Sequence, residues 1–273
     1  MMIGEIYLPI HRLVAYYGAD NSGAHLPFNF MLLSLPWDAR KIAAAIAEYE
    51  GALPQNAWPN WVLGNHDQPR ITSRVGLQQA KIAAMLLLTL RGTPTIYYGE
   101  EIGMRDVPIP IEQVQDPQGL NMPEKNLSRD PSRTPMQWNG DHYAGFSDAK
   151  PWLPLSADYK RINVELQKND RFSNLNLYKR LINLRQNQPS LMAGDYKPLY
   201  ADQQSIAYIR QTTGAKAFLV VLNLTHRPCY VRIQHQSITG VVVLSTAEEL
   251  EGSRVTENIH LGGDEGIIVE LSN

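Results

Sequence analysis

Apolar positions along the chain follow two rhythms, one before about residue 188 and another after it. The first part alternates short apolar runs with helical stretches. Met1-Met2-Ile3-Gly4-Glu5-Ile6-Tyr7 reads as a core strand entered without any lead-in. A Gly-punctuated polar loop (Gly18 to Gly23) and the apolar run Leu26-Pro27-Phe28-Asn29-Phe30 follow. The spacing of Ile42, Ile46 and Tyr49 predicts a helix over Asp38 to Glu50, with Asp38 as N-cap and Gly51 as the stop. Trp61 to Leu63 reads as a buried strand. Val75 to Arg91 is apolar nearly all round, which predicts a helix packed on both sides and ended by Gly92. Thr93 to Gly99 reads as another buried strand. Strands alternating with helices over short links signal a parallel sheet with covering helices.

Residues from about Met104 to Asp170 form a long, Pro-rich polar segment of little periodicity. Loops of that length are usually functional or disordered, and Trp138, Tyr143, Phe146 and Trp152 are too much aromatic content for disorder. A last helix is expected from Ser173 to Gln186, with Leu177, Leu181 and Leu184 at helical spacing. Beyond Pro189 the rhythm shortens to strands: Ser205 to Arg210, Ala217 to Leu222, Tyr230 to Ile233, Gly240 to Leu244 and Gly266 to Leu271. These predict an antiparallel β-sandwich over residues 189–273, appended to an α/β part over residues 1–188. No internal repeat and no low-complexity segment interrupts this order.

Composition narrows the class. With 273 residues, 44% of them hydrophobic, the chain can bury a large core. A formal charge of -2 argues against a nucleic-acid partner or a membrane-surface partner, either of which needs a basic patch. The single cysteine, Cys229, excludes an internal disulfide and any metal site built on several thiolates. The longest apolar run, Ile82 to Leu90, is far too short to span a bilayer. No basic start with a following apolar stretch marks a secretory signal, so a cytoplasmic protein is expected. The sequons at Asn126 and Asn223 then carry little meaning.

Chemistry concentrates in Trp61-Val62-Leu63-Gly64-Asn65-His66-Asp67-Gln68-Pro69-Arg70, where an apolar run opens into an amide, an imidazole, a carboxylate and a guanidinium. Two readings fit: an active-site loop at the C-terminal end of a buried parallel strand, or a strand end capped by a turn. Glu5 occupies the same kind of place after Met1-Met2-Ile3-Gly4. In a (β/α) barrel the strand ends share one rim, so carboxylates distant in sequence converge there. Paired carboxylates are the equipment of glycoside hydrolysis. A salt-bridged rim residue is the other reading of Glu5. Arg70 and Arg74 fit either a site entrance or rim ion pairs. Arg133, Tyr97, Tyr98 and His25 read as structural.

Five strings stand in the order of a known family: Ile3-Gly4-Glu5-Ile6-Tyr7, His25-Leu26-Pro27-Phe28-Asn29-Phe30, Asn65-His66-Asp67-Gln68-Pro69-Arg70, Gly92 to Met104, and Ser128-Arg129-Asp130-Pro131-Ser132-Arg133-Thr134-Pro135-Met136-Gln137-Trp138. They resemble the α-amylase superfamily, and best its α-glucosidase and oligo-1,6-glucosidase branch. The resemblance implies a (β/α)8 TIM barrel followed by an antiparallel β domain, with retention of configuration at an α-glucosidic bond of an oligosaccharide. It casts Glu5 as general acid/base and Asp67 as the carboxylate that holds sugar hydroxyls and stabilises the oxocarbenium-like transition state. It makes His66, Arg129 and Arg70 substrate-binding residues and implies no cofactor and no metal ligand in this chain.

The departure from the family is large. Its nucleophile is an aspartate in a Gly-Phe-Arg-x-Asp type segment, and no such segment occurs among these residues. A retaining mechanism needs that carboxylate about 5–5.5 Å from the acid/base. We therefore expect the C-terminal half of a barrel, inactive alone, whose partner is the missing N-terminal half. A calcium site, present in some members, would belong to that half. A glucosyl-transferring or isomerising relative of the trehalose or isomaltulose synthase type, and a non-catalytic homologue like the transporter heavy chains, remain open alternatives.

Overall fold

The computed structural model describes residues 1–233 and 238–272. The described residues form two compact units: Met1–Val62 with Lys81–Thr95 and Arg180–Asn273, and Leu63–Ala80 with Ile96–Lys179.

In the first unit, β1 (Ile3–Gly4) pairs in parallel with β2 (Leu26–Pro27), and β3 (Asn60–Val62) in parallel with β4 (Thr93–Thr95). A parallel bridge from Asn29 to Trp61 joins the two pairs. Four parallel strands in sequential order are the series expected of the C-terminal half of a (β/α)8 barrel. The Asp38 carboxylate caps the helix Ala39–Ala52 by accepting from the Lys41 amide at 3.0 Å, and Ile42, Ile46 and Tyr49 face the core. This helix runs through Gly51. It stops instead at Leu53, whose extended backbone (ψ 137°) is imposed by the following Pro54. The expected Val75–Arg91 helix, by contrast, is shorter. Gly76, at φ +83°, separates the turn Ile71–Val75 from the helix Leu77–Thr89.

The sandwich contains β5 (Asp195–Ala201), β6 (Ser205–Gln211), β7 (Phe218–Asn223), β8 (Cys229–Arg232), β9 (Gly240–Ser245), β10 (Arg254–Val255), β11 (Asn258–Leu261) and β12 (Gly266–Leu271). Six of these form one antiparallel sheet in the order β10-β9-β12-β7-β6-β5, and β11 pairs with β8. Ala207, Ile209, Leu219, Val221, Ile267 and Val269 meet Cys229, Val231, Ile259 and Leu261 in the sandwich core. The opposite face of β6 meets the helix Leu77–Thr89, where the Tyr208 and Thr89 hydroxyls lie 2.6 Å apart. Strand β6 is therefore buried on both faces up to Arg210. Two buried arginines satisfy carbonyls left open at this helix end. Arg185 donates to Leu88 O at 2.8 Å and Leu90 O at 2.9 Å, and Arg210 donates to Thr89 O.

In the second unit, the long polar segment is folded rather than loose. It holds short turns and the helices Pro117–Asn121 and Val164–Asn169, and Ile102, Met104, Met136, Val164 and Leu175 form a small core within the unit. No described helix is long and apolar enough to cross a membrane.

Candidate active site

Strand β3 delivers the Asn-His-Asp loop from its C-terminal end, and each residue around the turn has a defined constraint. Arg74 Nη1 donates to Leu63 O at 3.2 Å. Gly64 lies directly against the Glu100 carboxyl, so a Cβ at this position would have to displace the end of that buried side chain. Asn65 Oδ1 accepts from the Asp67 amide at 3.0 Å, a side-chain turn that fixes the direction in which Asp67 leaves the backbone.

The Asp67 carboxylate is then gripped from three sides, all at Oδ1. Arg133 Nη2 lies at 2.9 Å, Arg129 Nη1 at 3.1 Å and His66 Nε2 at 3.5 Å. Arg133 also donates from Nε to His66 O at 2.8 Å, so one guanidinium holds both the loop backbone and the carboxylate. Asp67 remains about a quarter exposed and His66 about half. These groups are fixed but reachable.

Arg129 is itself positioned by Asp116. Its Nε and Nη2 donate to Asp116 Oδ2 and Oδ1 at 2.9 and 2.6 Å, and its amide donates to Oδ2 at 2.8 Å. The Asp116 side chain is fully buried and also caps the helix Pro117–Asn121. The guanidinium and the backbone donors hold its carboxyl well below the usual carboxylate range and raise the Arg129 guanidinium further. Asp130 Oδ2 accepts from the Gln115 and Asp116 amides at 2.7 and 2.9 Å, which fixes the turn beneath. Asp67, Asp116, Arg129 and Arg133 thus form a chain of alternating charge that is balanced when all four are ionised.

Replacing Arg129 by Met should therefore destabilise the fold by about 2–4 kcal/mol, because it strands a buried carboxylate. Arg129→Lys should recover only part of this, since an ammonium cannot donate twice in one plane. Urea unfolding of the three proteins checks the order. Equal stability of all three would remove Asp116 as the support of Arg129.

The other anticipated residues fall in different places. Glu5 is exposed in the first unit, directly after β1, where the sequence places it. Arg70 is buried, only 1% exposed. It donates to Tyr98 O at 2.5 Å and packs over the Tyr97 and Tyr98 rings at 5.1 and 4.6 Å. Proximity to a strand exit suggested a substrate contact, but in the described structure the side chain is a packing element behind the loop. Tyr97 and Tyr98 donate to Ser132 O and Thr134 O, in keeping with their structural reading. His25 Nδ1 accepts from the Met2 amide at 2.9 Å. Arg133 is the residue that sequence reasoning undervalued. Its spacing of four from Arg129, across the 3-10 turn Asp130–Ser132, is the signal that both guanidinium groups can reach one carboxylate. Among the described residues no group of three or more His, Cys, Asp or Glu side chains could hold a metal ion.

The model of the alpha-amylase catalytic domain matches residues 1–194. Maltase A1 of Drosophila melanogaster is 38% identical over 232 residues, which is 82% of this chain and 40% of that protein. The amino acid transporter heavy chain SLC3A1 of Rattus norvegicus is 36% identical over 272 residues, 96% of this chain and 38% of the transporter subunit. Among solved structures, isomaltulose synthase from Klebsiella sp. LX3 superimposes with a TM-score of 0.88 at 27% identity, over 99% of this chain and 55% of its own. The chain thus spans between about two fifths and just over half of the length of these relatives.

Proposed function

This chain belongs to the alpha-amylase family, and on that premise we propose that it carries the acid/base and the transition-state carboxylate of a retaining α-glucosidase. The substrates would be terminal α-glucosidic bonds of short malto- or isomalto-oligosaccharides. The observation that supports this most is the treatment of Asp67. All three of its ion-pair and imidazole contacts fall on Oδ1, which leaves Oδ2 to a sugar hydroxyl and presents a fixed negative charge to a developing oxocarbenium ion. His66 and Arg129 would contact the same sugar. Arg70 would act by holding the Tyr97-Tyr98 wall, and Glu5 would protonate the departing glycosidic oxygen and then activate water.

The nucleophile would come from outside these residues, from a partner half of the barrel, since no Gly-Phe-Arg-x-Asp type segment is present in them. The purified 273-residue chain should then leave p-nitrophenyl α-glucoside intact. Turnover above the buffer rate would refute this division of the site. Two findings favour other readings. The likeness to isomaltulose synthase supports glucosyl transfer or isomerisation, and product analysis on maltose, isomaltose and sucrose separates these from hydrolysis. The likeness to SLC3A1 over nearly the whole chain supports a non-catalytic homologue. Against it stands the intact, ion-paired setting of Asp67. A cytoplasmic setting is in keeping with a single buried cysteine.

A further inference from the structure

The two arginines that meet at Asp67 are held in different ways. Arg129 is oriented by Asp116. Its Nε, its Nη2 and its amide all donate to that fully buried carboxylate, which leaves Nη1 to reach Asp67 Oδ1 at 3.1 Å. Its plane is therefore fixed without help from the loop. Arg133 has the opposite arrangement. Its Nε donates to His66 O at 2.8 Å and its Nη2 to Asp67 Oδ1 at 2.9 Å, so one guanidinium clamps both sides of the His66–Asp67 peptide bond. Both anchors lie on the loop itself, and a planar fork of donors can hold a carbonyl and a carboxylate at once.

The backbone that carries Arg133 is braced on both sides. The Tyr97 hydroxyl donates to Ser132 O at 3.2 Å and the Tyr98 hydroxyl to Thr134 O at 2.7 Å, the carbonyls immediately before and after it. The Arg133 amide donates to Asp130 O at 2.9 Å, and Ser132 Oγ donates to Arg129 O at 3.1 Å within the same turn. Arg70 packs over both tyrosine rings from behind. A continuous path of contacts thus runs from Arg70 through the Tyr97-Tyr98 pair and Arg133 to the Asp67 carboxylate.

We propose that Arg133 is the positioning residue of the Asp67 loop, fixing the carboxylate and its counter-charge while Arg129 turns Nη1 to a sugar hydroxyl. This role rests on the reading of Asp67 as the carboxylate that faces an oxocarbenium-like transition state. That task needs the negative charge held in one direction before the reaction begins, because a group that must reorganise during the reaction loses most of its effect. If Arg129 contacts the sugar, it cannot also be the sole support of Asp67. Arg133 supplies a second support that does not depend on Asp116. A fold staple would be replaceable by a residue that bonds either anchor, whereas a positioning residue needs both.

The test begins with the 273-residue chain, by NMR hydrogen exchange at the Asp67 amide, whose 3.0 Å bond to Asn65 Oδ1 persists only while the loop is ordered. The amides of β7 (Phe218–Asn223) report global opening. Arg133→Gln should speed exchange at Asp67 by about 10–100-fold and leave β7 unchanged. Arg133→Lys keeps the charge but meets one anchor at a time, so it should stay at least about five-fold faster than the parent. Arg129→Lys keeps a cation on Asp116 and should leave Asp67 within about two-fold of the parent. Full protection in Arg133→Lys, or an equal loosening by Arg129→Lys, would overturn the proposal. So would a rise at β7 that matches the rise at Asp67 in the Arg133 variants, or a parent whose Asp67 amide exchanges as freely as in an unfolded chain. The kinetic arm uses the assembled barrel with its nucleophile. There Arg133→Lys should lower kcat by about ten-fold on maltose and p-nitrophenyl α-glucoside alike, with KM within about two-fold. An unchanged kcat, or a loss carried by KM, would overturn the positioning role. An inactive parent barrel would instead refute the proposed function and leave the exchange result standing.

Discussion

Replacing Glu100 by glutamine is expected to stabilise the protein at pH 8 and to change little at pH 5. Glu100 is 2% exposed, opens the 3-10 turn Glu100–Ile102, and lies against Gly64 beneath the Asn65–Asp67 loop. Neither carboxyl oxygen has a hydrogen-bond partner, and Arg70 Nε and Nη2, also buried, have none either. Burial pushes the Glu100 carboxyl up from 4.5 to about 8. The Tyr97 backbone and then the neighbouring Arg70 and Arg74 pull the other way, and Glu101 adds to the rise. The same burial and the two glutamates raise the Tyr178 hydroxyl.

The sign follows from linkage. Between about pH 4.5 and pH 8 the folded chain keeps a proton that the unfolded chain has released. Stability must therefore fall as pH rises through that window. Glutamine has the shape of the protonated acid and does not titrate. The melting temperature of the wild type should decline from pH 5 to pH 8 more steeply than that of Glu100→Gln. The variant should be ahead by on the order of 3 kcal/mol at pH 8. A variant less stable at every pH would mean instead that Glu100 is ionised and paired with Arg70 in solution.

Glu100 also illustrates what a sequence conceals. Asp38 as an N-cap, the helix face of Ile42, Ile46 and Tyr49, and the strand Gly266–Leu271 were legible because each depends on neighbours close in the chain. The Asn65-His66-Asp67 loop was legible for the same reason: an apolar run ends and polar groups begin. Strand β5 escaped because Pro198 interrupts its pattern, which an edge strand tolerates where a central one does not. The pairings that define the candidate site lie further apart. Asp67 meets Arg129 and Arg133 across more than sixty residues, and Asp116 meets Arg129 through a segment with no periodicity to read. Arg70 shows the limit most directly. A position three residues beyond Asp67 did not reveal that its side chain turns inward onto Tyr97 and Tyr98.

The largest effect on chemistry should come from Glu5→Gln, measured in an assembled barrel that also holds the nucleophile. Glu5 follows β1 and is exposed, so the change should not disturb folding. A general acid matters in proportion to the basicity of the departing oxygen. From maltose the departing glucose leaves as a sugar alkoxide unless it is protonated, whereas p-nitrophenolate leaves readily without help. Glu5→Gln should thus lower turnover of maltose by about 10²–10⁴-fold and of the aryl glucoside far less in the first, glycosylating step. Asp67→Asn should behave differently. The charge it removes faces an oxocarbenium-like transition state common to both substrates, so both should slow together. Loss of the carboxylate charge also leaves Arg129 and Arg133 facing a neutral amide in place of their shared anion. Comparing kcat/KM for maltose and p-nitrophenyl α-glucoside in the two variants separates the roles. Equal losses on both substrates in Glu5→Gln would remove Glu5 as the acid, and a leaving-group dependence in Asp67→Asn would move that role to Asp67.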